Sequence, residues 1–279
     1  MNKITGVDFD KLINEFVDKF RDENTIINRI IRDEVFEILE QHCIVIYYPL
    51  DDEDIDGFHI KKSVNGKLEH FVYINTANTT ERQIFAAAHE LGHIWKVYQK
   101  AKKKYDMIDD YISSITDETP EEYITNKFAT QLLIPLDLFK SEMESELKKL
   151  NYNGSSISKI DLLRLTISLM NTFFVDYSAT IKRFLEIGRI STETFNKVMS
   201  YTTEADFIET FNILLKERDY KRLSKQTNTR NISNLTEIIR KAEGKDCVMI
   251  NTIEKLKNDF AINSESLLDQ KGELDFKDV

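Results

Sequence analysis

Apolar residues near the start of the chain recur at steps of three and four. Phe9, Leu12, Ile13, Phe16, Val17 and Phe20 make one stripe, the spacing that stacks side chains on one face of a helix. The pattern predicts a helix over residues 8–40, its stripe turned to a core. The period then changes. CIVIYY (43–48) is β-branched and aromatic and reads as a strand, broken by Pro49 and an acidic run at 51–56. That run lacks the ligand spacing of a calcium loop and reads as a solvated turn. GFHIKK (57–62) and HFVYI (70–74) read as two further strands, joined through Asn65-Gly66, a strong hairpin signal. A small three-stranded sheet therefore precedes the next helix, and its edge near 70–75 would suit an extended peptide added as a strand.

That helix is expected from Thr80 to about Tyr98, with Thr80 and Gln83 fitting a capping box. A lysine run (102–104) and a loop or short helix (106–119) follow. Thr119 and Pro120 suit the N-cap and first turn of a helix that stops at Pro135. The rest is helical by pattern, with breaks near 153–156, Gly188, 225–231 and Gly244, and a frayed polar end at 272–279. Within 156–190, Ser178 is expected to cap and Gly188 to end the second helix of a helix-turn-helix-like pair. The chain thus divides into a core with an N-terminal helix (1–140), the helix-turn-helix-like unit (155–200) and a helical extension of unassigned role (201–279). The fold class is α+β, mostly helical.

Composition agrees. Only 8 Gly and 3 Pro among 279 residues are too few for an all-β sandwich. A net charge of −10 disfavours general attraction to nucleic acid. In the helical pair only Lys182, Arg183 and Arg189 cluster, so a packing role is favoured there over direct DNA contact. Cys43 and Cys247 make neither a disulfide framework nor a CxxC site. The opening MNKITGVDFD does not read as a signal peptide, and no apolar run approaches the roughly 18 residues of a membrane span. The expectation is a cytoplasmic protein that does not engage a membrane.

The chemistry lies in AAAHELGHIW (86–95). His89 and His93 are four apart on a helix, so both imidazoles leave from one face and can grip one Zn²⁺ per chain. Glu90, one position on, can take a proton from a water acidified by the metal as it attacks a carbonyl. A structural site would need no such base, so Glu90 favours an enzyme over a binding protein with a structural or vestigial zinc. A third ligand is required. His42, His59 and His70 all precede the motif and read as surface or strand residues. Glu118, Glu121 and Glu122 remain open by charge alone, with Glu122 preferred and Asn126 one turn beyond it as a hydrogen-bond partner for a ligand. Tyr73, Tyr98 and Tyr123 are candidates for stabilising an oxyanion, none favoured.

TTERQIFAAAHELGHIW followed by EEYITNKFATQLLIP resembles the ImmA/IrrE family of metallopeptidases, over about residues 43–135 and more weakly to about 190. The second motif reads Glu122, Asn126, Phe128, Ala129, Leu132, Leu133, Pro135. The resemblance implies a thermolysin-like zinc peptidase core, with His89, His93 and Glu122 matching the metal ligands and Glu90 the general base. It implies a protein substrate, typically a helix-turn-helix repressor. The sequence departs from the pattern where many members carry an acid two residues before the Asn, since Ile124 stands there.

Overall fold

The stripe that begins at Phe9 forms helix α1 (Gly6–Glu23), started by a capping box in which Thr5 and Asp8 satisfy each other's backbone N–H. The computed structural model describes residues 5–52, 54–64, 66–152, 154, 157–217, 220, 225–243 and 250–260. Asn65, Gly244, Cys247 and the polar end at 272–279 lie outside them, as do Asn153, Ser155 and Ser156 of the break near 153–156.

The single helix expected over 8–40 is two. α1 stops at Glu23 and α2 spans Glu34–His42. Between them the backbone turns left-handed at Thr25. The Arg21 guanidinium then holds the carbonyls of Asn28, Arg29 and Leu132, replacing helical bonds with side-chain ones. Strands β1 (Ile44–Tyr48), β2 (Gly57–Val64) and β3 (Lys67–Asn75) follow. Then come α3 (Thr80–Ile94), α4 (Val97–Lys104), α5 (Ile108–Ser113) and α6 (Pro120–Leu133). α7 (Leu136–Lys149), α8 (Lys159–Phe173), α9 (Tyr177–Glu186), α10 (Thr192–Ser200) and α11 (Ala205–Glu217) continue the helical part. β4 (Asn231–Ile232), α12 (Leu235–Glu243) and α13 (Ile250–Asp259) complete it.

The fold is α+β and mostly helical, but its sheet has four strands rather than three, in the order β2-β3-β1-β4. β3 is parallel to β1 and antiparallel to β2, and β4 pairs antiparallel with β1. The edge expected near 70–75 is therefore interior, and β2 is the free edge beside the hairpin. Val72 and Ile74 of β3 and Val45 of β1 are fully buried in the core that also takes the α1 stripe and Ile84, Leu91 and Phe128.

Two caps differ from expectation. Thr79, not Thr80, precedes α3, and Gln83 turns its amide to the Asn78 carbonyl at 2.7 Å instead of closing a box. Asp176, not Ser178, caps α9 through the N–H of Ala179 at 2.6 Å. Thr119 caps α6 with Pro120 in its first turn, as expected. Arg183 of α9 is 5% exposed and donates to the carbonyls of Thr130 and Ile134 at the end of α6. That uses a cation of the Lys182–Arg189 cluster for packing. Among the described residues no helix is long and apolar enough to cross a membrane.

Candidate metal centre

Two helices supply the site, and a glycine lets them meet. A Cβ on Gly92 of α3 would stand 2.8 Å from Cγ2 of Thr125 and 3.2 Å from Cδ1 of Phe128, both on α6. At that closeness the Glu122 carboxylate reaches across to α3. Its Oε2 lies 3.2 Å from Nε2 of His89 and its Oε1 3.4 Å from Nε2 of His93. The two Nε2 atoms are 3.0 Å apart. Among the described residues, His89, His93 and Glu122 form the cluster able to hold a metal ion, with ligand atoms within 4.8 Å of one another.

The hydrogen bonds behind the imidazoles test that fit. Asn126 donates its amide to Glu118 at 3.2 Å, which turns Oδ1 toward Nδ1 of His89 at 2.8 Å. Nδ1 of His93 faces Glu121 at 3.4 Å. Both Nδ1 atoms thus have acceptors for a proton, and with the proton there both Nε2 atoms present lone pairs to each other and to a carboxylate. Three electron-rich groups converge with no donor among them, an arrangement that suits a cation. Burial, then the charge of His93, lowers the pKa of His89 and favours its neutral, ligating form. The two glutamates left open beside Glu122 lie behind the imidazoles: Glu118 orients Asn126, and Glu121 faces the far side of His93. Ile124 is fully buried in the core, so position 124 points away from the site.

Glu90 is 5% exposed, and its Oε2 has no hydrogen-bond partner. Burial, then the charge of Glu122, pushes its carboxyl up to about 7. With His89 and Asn126 it lines an open cleft of about 450 Å³ whose other wall is the approach to β2 and its first residues, from Asp54 to Phe58. Cys43 is buried and reduced, its thiol pushed up to about 12 by burial and then by the charge of Glu90.

The remaining candidates lie elsewhere. The Tyr73 hydroxyl donates to the Tyr48 carbonyl and that of Tyr98 to Asp109. Tyr123 packs its ring on Phe9. His42 bonds Asn24 at 2.6 Å. His59 and His70, read as strand residues, form a stacked pair with Nε2 and Nδ1 2.7 Å apart. Their pairing follows from hairpin register, which the sequence leaves unstated.

Compared with known proteins, residues 39–184 match the Peptidase M78 family, described as an IrrE N-terminal-like domain, over just more than half of the chain. The chain belongs to that family. The resemblance carried by the two motifs is thereby borne out, and Peptidase M78 membership makes this a protein of zinc-metallopeptidase type, a class that uses a metal and a protein substrate. The matched span includes α3 and α6 with all of the clustered residues. No curated protein and no solved structure matches the chain.

Proposed function

We propose that this protein is a zinc-dependent endopeptidase that cleaves one regulatory protein, a helix-turn-helix transcriptional repressor, in the cytoplasm. His89, His93 and Glu122 would hold one zinc per chain. The ion when bound supplies a Lewis acid that polarises a carbonyl and acidifies a water. Glu90 takes the proton of the attacking water on its carboxylate and returns it to the leaving nitrogen. Asn126 holds Nδ1–H of His89, fixing the tautomer that leaves Nε2 to ligate.

One observation carries the reading. The Glu90 carboxyl lies in the same cleft as His89, next to the convergent ligand cluster, with an oxygen that no protein group occupies. A site that only fastens the fold needs no such base. The free edge of β2 along this cleft offers unpaired backbone groups to an extended peptide. Membership of a peptidase family and the resemblance to repressor-cleaving relatives support a protein substrate.

Glu90→Gln keeps size and helix propensity and removes the base. Cleavage of the cognate repressor is expected to fall by at least about 100-fold while zinc content stays at one per chain. A Glu90→Gln protein that relieves repression as well as the wild type would show that the molecule acts by binding.

A further inference from the structure

The charge along the β2 wall changes sign. Just before it Asp54 and Asp56 line the cleft, Asp56 paired with Arg82 at 2.7 Å. Farther on, alternation of the pleat puts Gly57, His59 and Lys61 on one face. That face is turned to α3, because a Cβ on Gly57 would touch Cβ of Ala86 at 3.4 Å. Lys61 pairs directly with His70, so His70 shares the face, and its ring stacks on His59 at 4.8 Å between centroids. Lys96 follows α3 three residues beyond His93 and is exposed. Burial, then the charges of Lys61 and Lys96, lowers the pKa of His70, and burial, then the charges of His70, Lys61 and His93, lowers that of His59 to about 4, so both rings are neutral at pH 7. Among the described residues neither lysine is ion-paired. Glu69, whose charge also reaches His70, is paired with Lys67 at 3.3 Å and alternates to the other face of the hairpin.

In a protein of net charge −10, the exposed Lys61 and Lys96 make a local positive patch beside the catalytic helix, with the neutral imidazoles of His59 and His70 as hydrogen-bonding groups next to them. We propose that His59, Lys61, His70 and Lys96 form a subsite for an acidic side chain of an extended peptide laid along β2. The protein then selects substrates with Asp or Glu on one flank of the scissile bond. The other flank faces the exposed carboxylate of Asp54, which repels the same side chain. The proposal rests on the peptidase reading for the path of the peptide.

The test uses the full-length Glu90→Gln protein loaded with zinc and three labelled, end-blocked decapeptides of alanine and valine. One carries two Glu before its centre, one carries them after it, and one carries Gln in both places. Fluorescence anisotropy reads the dissociation constants. One Glu placement is expected to bind about three- to tenfold more tightly than either other peptide, the yield of two exposed ion pairs. That preference should vanish in a Lys61→Gln/Lys96→Gln variant of the same protein. Equal binding of all three peptides, or binding of none at millimolar concentration, overturns the subsite, as does a preference that survives the lysine substitutions. Binding is read without turnover, so a failed repressor-cleavage assay would sink the peptidase reading and leave this preference standing.

Discussion

Each imidazole of the His89–His93 pair is held from behind by a different group, and that separates the roles of three neighbouring glutamates. Glu122→Ala is expected to abolish stoichiometric zinc, measured by metal analysis of dialysed protein, as are His89→Ala and His93→Ala. Glu121→Ala should retain one zinc per chain, and Asn126→Ala should weaken affinity about 10–100-fold by releasing the His89 ring. Zinc lost from Glu121→Ala and kept by Glu122→Ala would place the third ligand one residue earlier. Glu81 invites a pH measurement. It is buried at the start of α3, and burial, partly offset by a hydrogen bond to its own backbone and helped by the charge of Asp176, raises its carboxyl to about 7 against an ordinary 4.5. The folded state therefore binds this proton more tightly than the unfolded one. Its stabilising contribution is complete below about pH 4.5 and is lost as pH rises toward 7. Glu81→Gln should melt higher than wild type at pH 8, with the gap closing by pH 5. A gap that ignores pH would refute the assignment.

The packing of α3 on α6 sets the distance from the histidines to Glu122, and Gly92 sets that packing. Gly92→Ala must push Thr125 and Phe128 away, at a cost of about 1–3 kcal/mol. It should lower both the urea midpoint and zinc affinity, whereas Ala88→Gly on the same helix should lower only the first. Equal zinc affinity in Gly92→Ala and wild type would show that the helices are not held apart by this contact. Much at this scale was legible in the sequence. The three-residue and four-residue steps of α1, the aromatic run of β1, the Thr119–Pro120 start of α6 and the i, i+4 histidines are local patterns, and local physics realises them. What failed was decided by partners outside the helix concerned. Gln83 looked like half of a capping box until the Asn78 carbonyl claimed its amide. The break after α1 depends on Arg21 reaching Leu132, more than a hundred residues away. The candidate site was legible to the level of His89, Glu90 and His93. The choice of Glu122 over Glu121 needed the family motif, because both stand in the first turn of α6.

Across the whole molecule, the last strand ties late residues to the lead-in of α3. β4 spans two residues, too few to show an alternation, and so gave no signal in the sequence. Ser233 beside it is buried and exchanges two bonds with Val45, accepting from its N–H and donating to its carbonyl, each at 2.8 Å. Ser233→Ala leaves that N–H unpaired in the core and should cost about 1–3 kcal/mol by urea denaturation. An unchanged midpoint would mean that water replaces the hydroxyl. Nearby, Asn228 donates to the Thr76 carbonyl, Thr76 to that of Thr229, and Thr227 to the side chain of Gln83. A chain growing from its amino terminus on a ribosome lacks these bonds until residues 227–233 have emerged. The helix bearing His89 and Glu90 is thus synthesised well before the residues that brace its lead-in.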